Sequence, residues 1–254
     1  MNRITAVAAN TFRESIRDKV LYVLLFFAAS TILGSKVLGW ISIGQDLKII
    51  KDICLASMSI FGTLIAIFVG ANLVYKEIDK KTLYTLLAQP MKRYEFMLGK
   101  YAGLLAVIAV SVGLMTLASS VYLWLMGGAV TATWFQAVLL IFMKLVLLTA
   151  FSILLSTLVS PILGAIIVVS FYVAGHATEV FKDLPPQFEG TATKQLLELL
   201  YYVIPNLNLF NLQSEAANNV PVTGAYIVFA VVYGLAWTAL LLTLACMAFE
   251  RRDV

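Results

Sequence analysis

A single histidine, two cysteines and one glycine-lysine pair bound the chemistry open to this sequence. His176 alone cannot assemble an HExxH or multi-histidine metal site. Cys54 and Cys246 show no CxxC or metal spacing. The topology drawn below puts them near opposite membrane faces, so they read as ordinary thiols rather than a disulfide. No GxSxG elbow or Cys/His pair occurs. Gly99–Lys100 is not a P-loop, because no glycine stands five residues before Gly99 and Tyr101 takes the place of the magnesium-binding Ser or Thr. The sequence offers no site for ATP hydrolysis of that kind, and an intramembrane enzyme is disfavoured. Neither a metal nor a cofactor is expected on these residues.

Ionisable residues inside apolar runs are the other place to look, because they are costly there and often functional. Lys144 stands deep within "FQAVLLIFMKLVLLTAF". It can line a polar pathway, meet an anionic group of a substrate, or snorkel and pair structurally with another helix. His176 and Glu179 are three apart and share a helix face. They form either a proton-sensitive pair or a plain interfacial one.

The elements that hold these residues are set by composition. The 254 residues are 61% hydrophobic and 13% charged, with a mean hydropathy of +0.92. Soluble domains run near half apolar and a quarter charged, so the chain reads as an integral membrane protein. Its apolar runs are continuous rather than alternating, which excludes the barrel pattern and leaves an all-α polytopic protein. Six spans are predicted, at about 20–41, 53–75, 101–126, 135–158, 161–181 and 225–248. With the N-terminus inside, twelve Lys/Arg fall on the cytoplasmic side and five outside, which places both termini in the cytoplasm. Basic residues beside spans report topology, so the net charge of +4 does not imply nucleic acid.

Ahead of the first span, residues 1–19 put Ile4, Val7, Ala8, Phe12 and Ile16 on one face. They are expected to form an amphipathic helix along the cytoplasmic membrane surface, before a retained anchor rather than a cleaved signal. "STLVSPIL" joins the fourth and fifth spans as a tight hairpin, with Pro161 at the start of a helix. The external segment 182–224 is too long for a simple connector. Its apolar stretch from Gln195 to Ile204 is too short to span and ends near Pro205, with Asn206, Asn208 and Asn211 as turn or cap residues. A lid packed on the neighbouring spans and a substrate gate are both open readings of it.

The most patterned segment is "VYKEIDKKTLYTLLAQPMKRYEFMLGKY", residues 74 to 101, with six Lys/Arg and three Asp/Glu. As helix it lines up Ile78, Thr82, Leu83, Leu86 and Leu87 on one side, and Glu77 precedes Lys81 in the favourable i, i+4 order. Pro90 breaks that helix and opens a second one through Tyr94, Phe96 and Gly99 into the third span. A short amphipathic helix, a kink and a surface helix continuous with a span can carry force from a soluble partner to the bilayer.

These residues resemble the loop after the second span in type-2 (export-type) ABC transporter permeases. The resemblance rests on Glu77, Thr82-Leu83, Leu86-Leu87, Pro90, Arg93, Phe96 and Gly99-Lys100, with the six-span plan and the "FERRDV" tail beside them. Relatives often place Gly before the Thr, where this sequence has Lys81. "YYVIPNLNLFN" is also similar to a subgroup that includes permeases of copper-cluster maturation systems. What the resemblance implies is a transmembrane subunit whose segment 76–100 is a coupling helix docked on a separate nucleotide-binding subunit. ATP and Mg would sit on that partner, and a second permease chain, identical or different, would complete the assembly. Glu77, Thr82, Leu83, Leu86, Leu87, Pro90, Arg93, Gly99 and Lys100 would carry the coupling. Lys144, His176 and Glu179 are the candidates for a translocation path. The expected setting is the prokaryotic inner membrane among its lipids, with no nucleic acid. The competing readings are an ATP-independent channel or secondary transporter, for which Lys144 is the clear midplane group, and a membrane scaffold for an assembly complex.

Overall fold

The computed structural model describes residues 3–39, 45–73, 75, 92–178, 199 and 201–250. Every regular element among them is helical. In chain order these are α1 (Arg3–Ile16), α2 (Lys19–Gly39), α3 (Asp46–Leu73), α4 (Arg93–Leu125), α5 (Ala132–Leu158) and α6 (Pro161–His176). A 3₁₀ turn (Leu207–Phe210), α7 (Gln213–Asn218) and α8 (Gly224–Glu250) follow.

Five of these helices, α2, α3, α4, α5 and α8, are long and apolar enough to cross a membrane, with mean hydropathies from 1.9 to 2.7. Helix α6 is apolar but only 16 residues long, about 24 Å at the α-helical rise and so short of a hydrocarbon core about 30 Å thick. It ends at His176, capped by Ala177; residues 179–181 of the expected fifth span lie outside the described residues. Helix α4 runs unbroken for 33 residues from Arg93, about 50 Å and longer than a span needs. The expected helix through Tyr94, Phe96 and Gly99 is therefore continuous with the third span; Pro90 lies outside the described residues.

Burial separates the bundle into centre and rim. In the most apolar window of α5, 78% of residues are buried, and in that of α3, 67%, against 28% for α2 and 22% for α8. Side-chain size explains the central pair. At Gly62 a Cβ would lie 2.5 Å from Leu145, and at Gly70 2.8 Å from Ser152, so two glycines of α3 let α5 approach closely. The rim helices present Tyr22, Phe26, Leu33, Phe229, Val232 and Leu235 outward, all at least half exposed. An apolar exterior over a close-packed interior is the arrangement hydrocarbon surroundings favour, because polar side chains facing lipid are costly, and the helices satisfy their own backbone groups.

Two connections are visible in detail. Val159 and Ser160 turn α5 into α6, with Pro161 at the first helical position, where its missing N–H costs nothing. On the other end, the segment 205–212 plugs back into the bundle. Leu207 seats on Gly175 and Phe210 on Gly234, both side chains fully buried. Asn206 caps the 3₁₀ turn by accepting from Asn208 N at 2.9 Å, and Asn211 accepts from Gln213 N at 3.2 Å. Asn208 Nδ2 donates to His176 O at 3.0 Å and so satisfies a terminal carbonyl of α6.

Candidate functional site

Three of the expected coupling residues, Arg93, Gly99 and Lys100, fall on the first turns of α4. There they join three helices that are far apart in the chain. The helix opens with Glu95, whose carboxylate accepts from Lys92 N at 3.0 Å, half of a capping box and the sign of charge a helix N-terminus favours. Arg93 points the other way, donating from Nη1 to Phe249 O at 3.1 Å and Glu250 O at 3.0 Å. It thereby places a cation on the carbonyl end of α8, where the helix dipole favours it. Phe96 stacks on Phe249 with ring centroids 5.8 Å apart. The start of α4 and the end of α8 are thus fastened by both a polar fork and an aromatic pair.

Helix α1 occupies the adjoining face. A Cβ on Gly99 would lie 2.7 Å from Val7 Cβ, and one on Gly103 2.6 Å from both Ala8 O and Thr11 Cβ. The two glycines stand four apart on one face of α4, so the backbones meet at a distance that a larger residue would forbid. Helix α1 buries Thr11 and Ser15 and half-buries Val7 and Ala8. Small and hydroxyl residues at its centre, rather than bulky apolar ones, fit that close approach. Two ion pairs flank the contact: Lys100 Nζ to Glu14 Oε2 at 3.7 Å and Arg3 Nη1 to Glu95 Oε2 at 4.0 Å. Lys100 is buried and its ammonium also lies over the Phe96 ring at 5.6 Å. Glu77, Thr82, Leu83, Leu86, Leu87 and Pro90 lie outside the described residues.

A second polar group sits at mid-depth. Lys144, halfway along α5, is 2% exposed and donates to Ser59 Oγ of α3 at 2.6 Å. Its ammonium lies 5.4 Å from the Tyr172 ring centroid on α6. Tyr172 in turn packs against His176, with ring centroids 4.3 Å apart, and His176 Nδ1 donates to Tyr172 O at 2.8 Å. Among the described residues no carboxylate pairs with Lys144. A buried cation held by one hydroxyl and one aromatic face can receive an anionic or carbonyl-rich group. Lys144 and His176 are therefore brought to one cluster; Glu179 lies outside the described residues.

Sequence reasoning passed over several members of these clusters. Gly103 was legible from the Gly-x-x-x-Gly spacing with Gly99, a signature of close helix contact. Glu14, Ser59 and Tyr172 carried no local signal, because their partners lie on other helices.

A multi-pass, all-α membrane protein is the class that this bundle defines. The chain matches, over residues 5–254, the family model described as ABC-2 family transporter protein. The match covers nearly its whole length, and the chain belongs to that family, whose members are membrane subunits of ABC transporters that normally work with a separate ATPase. No curated protein matches it.

Proposed function

We propose that this chain is the permease of an ATP-binding-cassette exporter and that residues 76–100 take up the motion of a separate ATPase subunit. The observation that carries the reading is the three-helix junction at the head of α4. Because Arg93 and Phe96 hold the end of α8, while Gly99, Lys100 and Glu95 hold α1, a displacement of the segment entering α4 moves all three helices together. A loop that only enforced topology would need none of these contacts.

In this reading Glu77, Thr82, Leu83, Leu86, Leu87 and Pro90 form the docking face, and Arg93, Gly99 and Lys100 transmit. ATP and Mg belong to the partner, and a second permease chain completes the transporter. Six spans lie in the prokaryotic inner membrane with both termini and residues 76–100 cytoplasmic and 182–224 external. Lys144, His176 and Glu179 border the path of a cargo that carries hydrogen-bond acceptors. The outward direction rests on the family resemblance. The test is a pair of charge changes: Glu77→Arg and Leu86→Asp should each leave the chain inserted in the membrane at wild-type level and remove the co-purifying ATPase. Retention of the ATPase by both variants overturns the assignment.

A further inference from the structure

At the end of the bundle opposite the α1–α4–α8 junction, a cavity of about 540 Å³ opens between the first turn of α3, the α4–α5 turn and the end of α7. That volume is in the range of small-ligand sites, about 300–1,000 Å³. Its polar walls are Gln45, Asp46, Lys48, Lys51, Asn218 and Asn219. Gly127, at φ 79, and Gly128 turn α4 into α5 beside it without adding side chains.

Lys51 is the residue that makes this a built site. It is 3% exposed, yet it borders the cavity. An ammonium has three donors, and the one hydrogen bond Lys51 makes among the described residues goes to Asn219 Oδ1 at 2.7 Å. Among the described residues, two donors remain for whatever occupies the cavity. Asn219 adopts the left-handed conformation, φ 55, at the end of α7, which Asn tolerates better than most residues. Its Oδ1 also lies 3.5 Å from Thr131 Oγ1. The turn therefore presents an amide oxygen whose role is to aim a buried cation. Lys48 adds a second positive charge. Among the described residues Asp46 is the one carboxylate on the wall, and it sits in the first turn of α3, where the helix dipole stabilises it. The remaining balance favours an anion with several acceptor oxygens.

We infer that this cavity binds a phosphate group, with Lys51 and Lys48 as its partners and Asn219 positioning Lys51. The cavity lies level with the ends of the apolar helices, the depth at which lipid phosphates sit. The phosphate can come from an anionic lipid headgroup or from a solute, and the experiment separates the two. The inference does not depend on the coupling reading.

Full-length chain is placed in nanodiscs of phosphatidylcholine with and without phosphatidylglycerol, and retained lipid is counted by native mass spectrometry. Inorganic phosphate is titrated calorimetrically into the phosphatidylcholine sample. Retained phosphatidylglycerol identifies a lipid site, and saturable phosphate binding a solute site. In either case Lys51→Met should weaken binding about ten- to a hundredfold, as for loss of a charge-assisted partner, while Lys51→Arg retains it. Asn219→Gly keeps the left-handed backbone without the amide and should weaken binding about tenfold. Lys48→Met supplies a third variant should Lys51→Met fail to insert. Absence of both binding signals, or binding unchanged in Asn219→Gly and Lys48→Met, overturns the inference.

Discussion

Replacing Gly103 by Ala asks α1 to retreat from α4. The added methyl would lie 2.6 Å from Ala8 O and 2.6 Å from Thr11 Cβ, against an ordinary contact of 3.4–4 Å, and one obstacle is backbone that no rotamer change can move. Overpacking of this kind costs about 1–3 kcal/mol. Ala is the better helix former by up to about 1 kcal/mol, which offsets part of the loss. The net effect should be about 1–2 kcal/mol against α1 docking, about a 5- to 30-fold rise in its opening equilibrium. Hydrogen exchange of peptides covering residues 3–16 reads that equilibrium directly. Gly113→Ala, on the same helix with nothing within 4 Å of the new methyl, is the control and should leave α1 exchange unchanged. Wild-type protection of α1 in Gly103→Ala, or equal loosening in both variants, would refute the close-contact explanation of the junction.

Other outcomes follow from the same geometry. Arg93→Ala removes two charge-assisted hydrogen bonds to Phe249 O and Glu250 O. It should raise exchange at the end of α8 by about tenfold, equivalent to about 1.4 kcal/mol, without touching α2. Lys144→Met replaces a buried ammonium held by Ser59 and Tyr172 with an apolar side chain of similar length. Because desolvation opposes that ammonium, the thermal midpoint should not fall. A drop beyond about 4 °C, roughly 1 kcal/mol in a chain of this size, would show that the cluster is held for stability. Phe210→Ala empties the seat on Gly234 and should cost about 3–5 kcal/mol, exposing residues 205–212 to limited proteolysis while α3 and α5 stay protected.

The class of fold was legible because continuous apolar runs of span length have few other solutions, and the helices α2, α3, α5 and α8 lie where such runs occur. Boundaries were legible in part. Helix α4 runs from Arg93 into the third span, as expected of a helix through Tyr94, Phe96 and Gly99, whereas its burial by α1 is a contact that no local pattern reports. At α6 an apolar run gave no sign of ending at His176. Helix α7 spans only six residues and has no apolar period to read. At the sites, Gly99 and Lys100 were singled out for a resemblance, whereas their physical role is a glycine contact and an ion pair with α1. Lys144 was conspicuous as a charge in an apolar run, but its partners Ser59 and Tyr172 are ordinary residues until the helices pack. Lys51 was equally visible as a charge, and what gives it meaning is Asn219, 168 residues away.

The most direct measurement is a photocrosslink from the segment that precedes α4. A photoreactive side chain at Leu86, on the full chain in its native membrane, is illuminated and the adducts are identified by mass spectrometry. Coupling through residues 76–100 requires an adduct with a separate protein that contains a P-loop. Adducts only with lipid or with further copies of this chain would contradict it.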